Sequence, residues 1–183
     1  MVMLSQLLRV TVDLLLLRRG PQDLPSDWGL LGGVGILYCS LTFVQVRMVA
    51  SALPAIAQTV TAVLLLALFV HSVLRWRGVP ERFVQTLTGL LVVGAVLTLL
   101  MLGPTAALAP FLEALAEAGD PEAVPQPPGM VILAYLVIGI WGLVAYGHIY
   151  RHALGVNLWL GVATAVGFEI VLFLAFSLLG VAG

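Results

Sequence analysis

Five runs of about 20 apolar residues each set the limits on what this chain can become. At about 1.5 Å of rise per residue, a helix of that length crosses the roughly 30 Å of hydrocarbon in a bilayer. Inside hydrocarbon the backbone must satisfy its own hydrogen bonds, so an isolated apolar run that spans does so as a helix. The expected fold is therefore all-α: a multi-pass transmembrane bundle with spans at about 28–50, 55–74, 81–102, 130–150 and 157–179. Composition agrees. Of 183 residues, 61% are hydrophobic and only 9% are charged, against about 25% charged in soluble domains. A net charge of −1 provides no basic field for nucleic acid. The single cysteine, Cys39, excludes an internal disulfide framework and reads as a small packing residue.

Residues 1–27 read as a separate amino-terminal unit before the membrane domain, 28–183. Within it, 4–19 has a helical pattern, with Ser5, Arg9 and Asp13 in a polar stripe and leucines over much of the rest. Arg18-Arg19-Gly20-Pro21 ends it. Such a pattern suits an amphipathic helix lying in the headgroup region. A crossing helix is the alternative, and it would bury Arg9 and Asp13 in hydrocarbon. No basic n-region or small-residue cleavage site marks this segment as a signal peptide.

Further along, Gly32, Gly35, Cys39 and Thr42 share one face of the first span, where another helix could approach closely. The third span is expected to stop at Gly103-Pro104. Pro110 to Ala118 then reads as a short amphipathic helix, and Glu113, Glu117, Asp120 and Glu122 make the link acidic. Pro121, Pro125, Pro127 and Pro128 make its second half extended. Arginines set the orientation. Arg18 and Arg19, then Arg75, Arg77 and Arg82, then Arg151 fall in links on one side of a five-span chain, and Arg47 alone lies toward the other. The amino terminus is therefore expected in the cytoplasm and the carboxyl terminus outside.

Gly78, Phe83, Gln85, Thr86 and Leu87, followed by an apolar helix with Gly89 and Gly94, resemble a pattern in the Yip family of Ypt-interacting membrane proteins and its bacterial relatives. Trp141, the short basic turn through Arg151 and the last span, rich in small residues, are similar to that family as well. The resemblance implies a five-span membrane protein of a bacterial inner membrane. The longer cytosolic amino-terminal region of eukaryotic members has no counterpart here, so their role in vesicle traffic and GTPase binding is not expected.

Three sets of residues stand out chemically. Glu169 lies near the middle of the last span, where a charge costs several kcal/mol. With Arg47 it makes the intramembrane polar pair to consider. Gly161 and Ala165 share its helix face, so Glu169 is expected to point into the bundle, against the Gly32-Gly35-Cys39-Thr42 face or another small polar one. There it is either a hydrogen-bonded packing residue or part of a proton or ion relay. As a packing residue, its replacement by leucine is expected to destabilise the fold. His148 and His152 are four apart, and His71 lies near the same membrane face, so the three are candidates for a metal or haem site. The set is incomplete and Arg151 is adjacent, so no cofactor is expected. Arg75, Trp76, Arg77 and Arg82 form a basic turn at headgroup depth, either a topology anchor or a contact for lipid or partner.

No phosphate-binding loop, zinc-protease helix or paired intramembrane carboxylates occur, and the chain has no lysine. The reading is a non-enzymatic integral membrane protein that organises membrane or serves as an accessory subunit of a larger membrane complex. The alternative is a small transporter or channel using Glu169. The expected partners are membrane lipids, together with a second copy or another membrane protein.

Overall fold

The computed structural model describes residues 2–118 and 126–178, with side chains from Leu7 onward. Among them are six helices: α1 (Val2–Leu15), α2 (Trp28–Arg47), α3 (Ala52–Trp76), α4 (Phe83–Ala118), α5 (Gly129–Leu154) and α6 (Leu158–Leu178). The five from α2 onward are long and apolar enough to cross a membrane. The all-α five-span bundle expected from the apolar runs is thus the architecture observed.

Local chemistry sets the helix ends. Asp27 Oδ1 accepts from the Leu30 amide at 2.6 Å, and Asn157 Oδ1 accepts from the Leu160 amide at 2.9 Å, so α2 and α6 start at side-chain caps. Gly155, at φ +64°, turns the chain out of α5 in a left-handed conformation that costs glycine nothing. The end of α1 uses the same geometry with a leucine. Leu17 has φ +59°, the Leu17 amide donates to the Leu14 carbonyl at 3.1 Å, and the Arg18 amide donates to that of Asp13 at 2.8 Å. This closure stops α1 at Leu15, short of the expected Arg19.

Helix α4 is the axis of the bundle. It touches α1, α2, α3 and α5. From Val84 to Thr98 nearly every residue is buried, because the helix is apolar on all sides and each side has a neighbour. Two threonines of this stretch satisfy themselves locally. Thr86 and Thr88 hydroxyls donate to the Arg82 and Val84 carbonyls at 2.8 and 2.7 Å. Gly94 leaves room for two aromatic rings: a methyl group there would lie 2.6 Å from the Tyr146 hydroxyl and 2.8 Å from the Tyr38 ring.

Three expectations change. First, α4 does not stop at Gly103-Pro104. It continues through Pro104 and Pro110 to Ala118, absorbing the short helix expected at 110–118. Its 36 residues extend about 54 Å. Proline removes one amide donor per site, and membrane helices tolerate this where neighbours hold the chain. Here Thr105 does so. Its hydroxyl donates to the Met101 carbonyl at 2.8 Å, accepts from Gln45 Nε2 at 3.1 Å and lies 2.9 Å from the Tyr135 hydroxyl, tying α4 to α2 and α5. Second, Gly32 and Gly35 of α2 do not make a close helix contact, since a Cβ on either would meet nothing within 4 Å. The close approach is between α5 and α6, where Gly161 abuts the backbone of Gly147 and Arg151. Third, α1 spends one face on the bundle: Val10, Thr11 and Leu14 are buried against α4 and α5, while Leu8 and Val12 are exposed. Asp120, Pro121, Glu122 and Pro125 lie outside the described residues.

Candidate functional site

Glu169 sits halfway along α6, between neighbours of opposite character. Phe168 is buried and Ile170 is exposed. The side chain of Glu169 is itself exposed, and it forms one edge of a lateral groove of about 330 Å³. Gly139, Gly142 and Tyr146 of α5 supply the floor, and Leu97 and Met101 of α4 supply the opposite wall. Gly142 is pressed by Leu97, and a Cβ there would lie 3.1 Å from its methyl carbon. At Gly139 a Cβ would meet nothing within 4 Å, so the floor is bare backbone that a neighbour could approach.

This placement corrects the expectation that Glu169 packs inside the bundle against the Gly32-Gly35-Cys39-Thr42 face of α2 or another small polar one: the small residues it meets, Gly139 and Gly142 of α5, line an open groove. Gly161 and Ala165 are indeed buried against α5, but helical rotation carries the next residues of that row outward, and Glu169 emerges at the rim. Its carboxyl has no hydrogen-bond or ion-pair partner among the described residues. Tyr146 borders the same groove. Arg47 does not join it. That guanidinium donates to the Ala50 carbonyl at 2.6 Å, closing the turn after its own helix.

The second cluster is the basic end of the bundle. Arg82 Nη1 donates to the His152 and Ala153 carbonyls at 3.2 and 2.9 Å, and Arg77 Nη2 donates to the Leu154 carbonyl at 3.2 Å. These are the last three residues of α5, whose carbonyls have no partner within the helix. Cations here also face the negative end of the helix dipole. Arg77 thus fastens the end of α3, and Arg82 the start of α4, to the end of α5. Arg75 and Trp76 remain exposed, Trp76 at 85%.

Helix α5 runs on to Leu154, so His148 and His152 do share a face, with ring centres 4.6 Å apart. His148 is buried, and one ring nitrogen lies 2.8 Å from the Arg19 carbonyl. His71 is not drawn into the pair; its ring stands edge-on to Phe83. Among the described residues no three His, Cys, Asp or Glu side chains group to hold a metal ion.

The His148 contact belongs to a strap, residues 16–24, that crosses this end of the bundle. Gln85 Nε2 donates to the Leu24 carbonyl at 2.8 Å and reaches the Gln22 carbonyl at 3.4 Å. Pro21 and Leu24 rest over Gly89, at 3.4 and 3.6 Å from where its Cβ would be. Replacing Gln85 with leucine removes the donor and leaves strap carbonyls unpaired, a loss of about 1 kcal/mol. Amide exchange across residues 10–24 should then accelerate several-fold while the α4–α5 core keeps its protection. Unchanged exchange in the strap would show that Gln85 does not hold it.

No protein-family model, curated protein or solved structure matches this chain. Several residues in and after the basic turn have identifiable structural tasks. Gly78 turns at φ +73°, Phe83 packs on His71 and Trp28, Gln85 holds the strap, and Gly89 and Gly94 admit close neighbours. Sequence reasoning passed over the groove floor. The spacing of Gly139, Gly142 and Tyr146, three and four apart, placed them on one face of α5 and was the available signal.

Proposed function

We propose that this chain is a non-enzymatic integral membrane protein that works by assembly with another membrane component, as an accessory subunit or organiser of membrane, and not by passing a solute through itself. One observation carries the reading: the interior around α4 is closely packed, mostly with apolar side chains and with Tyr146 and Tyr150 among them, and the unpartnered carboxyl opens sideways into a groove, away from that core. Transport through the bundle would need polar groups in series past Glu169. The resemblance to Yip proteins agrees with a structural role in a membrane. The exposed Leu8 and Val12 of α1 suit an interfacial position for that helix. The gathering of Arg19, Arg77, Arg82 and Arg151 at one end suits a cytoplasmic, inner-membrane face.

Purified protein in vesicles loaded with a pH-sensitive dye should show proton flux no greater than empty vesicles, in either direction of an imposed gradient. Flux above that level that disappears in Glu169→Gln would overturn the reading in favour of a transporter. Orientation has its own test. Reporter fusions after Gly78, Asp120 and Gly183 should read inside, outside and outside, and an inside reading at Asp120 would overturn the proposed topology.

A further inference from the structure

We propose that the Glu169 groove receives a transmembrane helix of a different protein, one that carries a basic residue at mid-span. The inference rests on the assembly reading above and names the class of partner. A carboxyl at this depth cannot draw on water, and ionisable groups within membranes are paired or face polar cavities. Glu169 has neither arrangement within the described chain. Its neighbours describe an approach path for a helix. The floor exposes backbone at Gly139, so a partner axis can come closer than side chains would otherwise permit. The walls, Leu97 and Met101 on one side and Glu169 on the other, come from separate helices and bracket that floor. A lysine or arginine lying along the groove would meet the carboxyl at its edge, where low dielectric strengthens the pairing.

The chain's own charges decide between a second copy and a foreign partner. All eight basic residues are arginines. Seven of them lie in α1, the strap, the basic turn or the end of α5, and Arg47 is bound at the end of α2. Two copies sharing one orientation meet at equal depth, so a twin would present no cation opposite Glu169. It would present only another carboxyl or the same apolar groove. Lipid headgroup amines are likewise confined to the surface. The cation must come from another helix.

The test uses the full chain, labelled at its carboxyl terminus, in phosphatidylcholine vesicles. The probes are designed leucine-alanine helices with a single central lysine, or leucine at the same position. Energy transfer should show the lysine helix associating at least tenfold more tightly. Glu169→Gln should abolish that excess, and so should Gly139→Leu, which adds its side chain to open space and leaves the fold intact. Equal association of the two probes, or a lysine preference that survives Glu169→Gln, would overturn the proposal. So would Glu169-dependent binding of tetraphenylphosphonium without selectivity for the lysine helix, which would assign the groove to a small lipophilic cation. Energy transfer between labelled copies that Gly139→Leu removes would assign it to a second copy, again against the proposal. These failures leave the assembly reading standing when vesicles show no flux, whereas flux overturns that reading whatever the helices do.

Discussion

Alanine at Gly161 is expected to break the contact between α5 and α6. The new methyl group would be driven into the Gly147 carbonyl and would lie 2.9 Å from the Arg151 amide nitrogen. Both obstacles are backbone, so no rotamer change relieves them, and the helices must move apart. The reciprocal change, Gly147→Ala, collides with the backbone of Val162, whose Cα and N would lie 2.8 Å away. Overpacking a well-filled contact costs about 1–3 kcal/mol and occasionally more. Here the upper end applies, because separation also loses the burial of Ala165. Gly32→Ala is the matched control. It adds the same methyl group to open space in α2, where alanine favours helix by up to about 1 kcal/mol. Thermal denaturation in one detergent should rank Gly32→Ala at or above the wild type, with both α5–α6 variants well below it. A Gly161→Ala protein as stable as Gly32→Ala would show that the α5–α6 approach is looser than the structure has it.

Glu169→Leu is expected to stabilise the isolated chain by roughly 1–3 kcal/mol, on the scale of transferring a polar side chain out of hydrocarbon. This reverses the sign that follows from reading Glu169 as a packed interior residue. A packed glutamate would leave partners unbonded when lost, but this one is exposed and has no partner among the described residues to strand. Leucine instead matches the surrounding Leu97, Ile138 and Leu143. Glu169→Gln keeps an unpaired polar group in the same place and should remain close to the wild type. Reversible unfolding in lipid bicelles gives the ranking directly: leucine most stable, glutamine and glutamate similar. A leucine variant less stable than the wild type by more than 1 kcal/mol would mean that the carboxyl is bonded inside the chain after all. A residue that costs stability in the free protein is being kept for something other than folding, so this measurement also bears on the groove.

Much of the bundle was legible because hydrophobic length is a local property. Twenty apolar residues must span or be buried wherever they lie in a chain, so α2, α3, α5 and α6 could be placed within a few residues from sequence alone. Caps such as Asp27 and Asn157 are local in the same sense. Proline at 104 and 110 also speaks locally, and there it misled. The helix continues because Thr105 is tied to Gln45, sixty residues back, and to Tyr135, thirty residues on, which no window around the prolines contains. The glycines show the same limit. Gly32, Gly35, Gly147 and Gly161 all permit close approach, yet only the last two are approached, because the partner of a small face is chosen by the packing of every other helix. The direction of Glu169 was decided likewise. Periodicity gave its angle relative to Ala165, but whether that angle faced core or groove depended on where α4 and α5 stood. Sequence by itself determined how many helices could cross and where they start. Tertiary structure decided which faces meet, since contact free energy depends on pairs of surfaces brought together from distant parts of the chain.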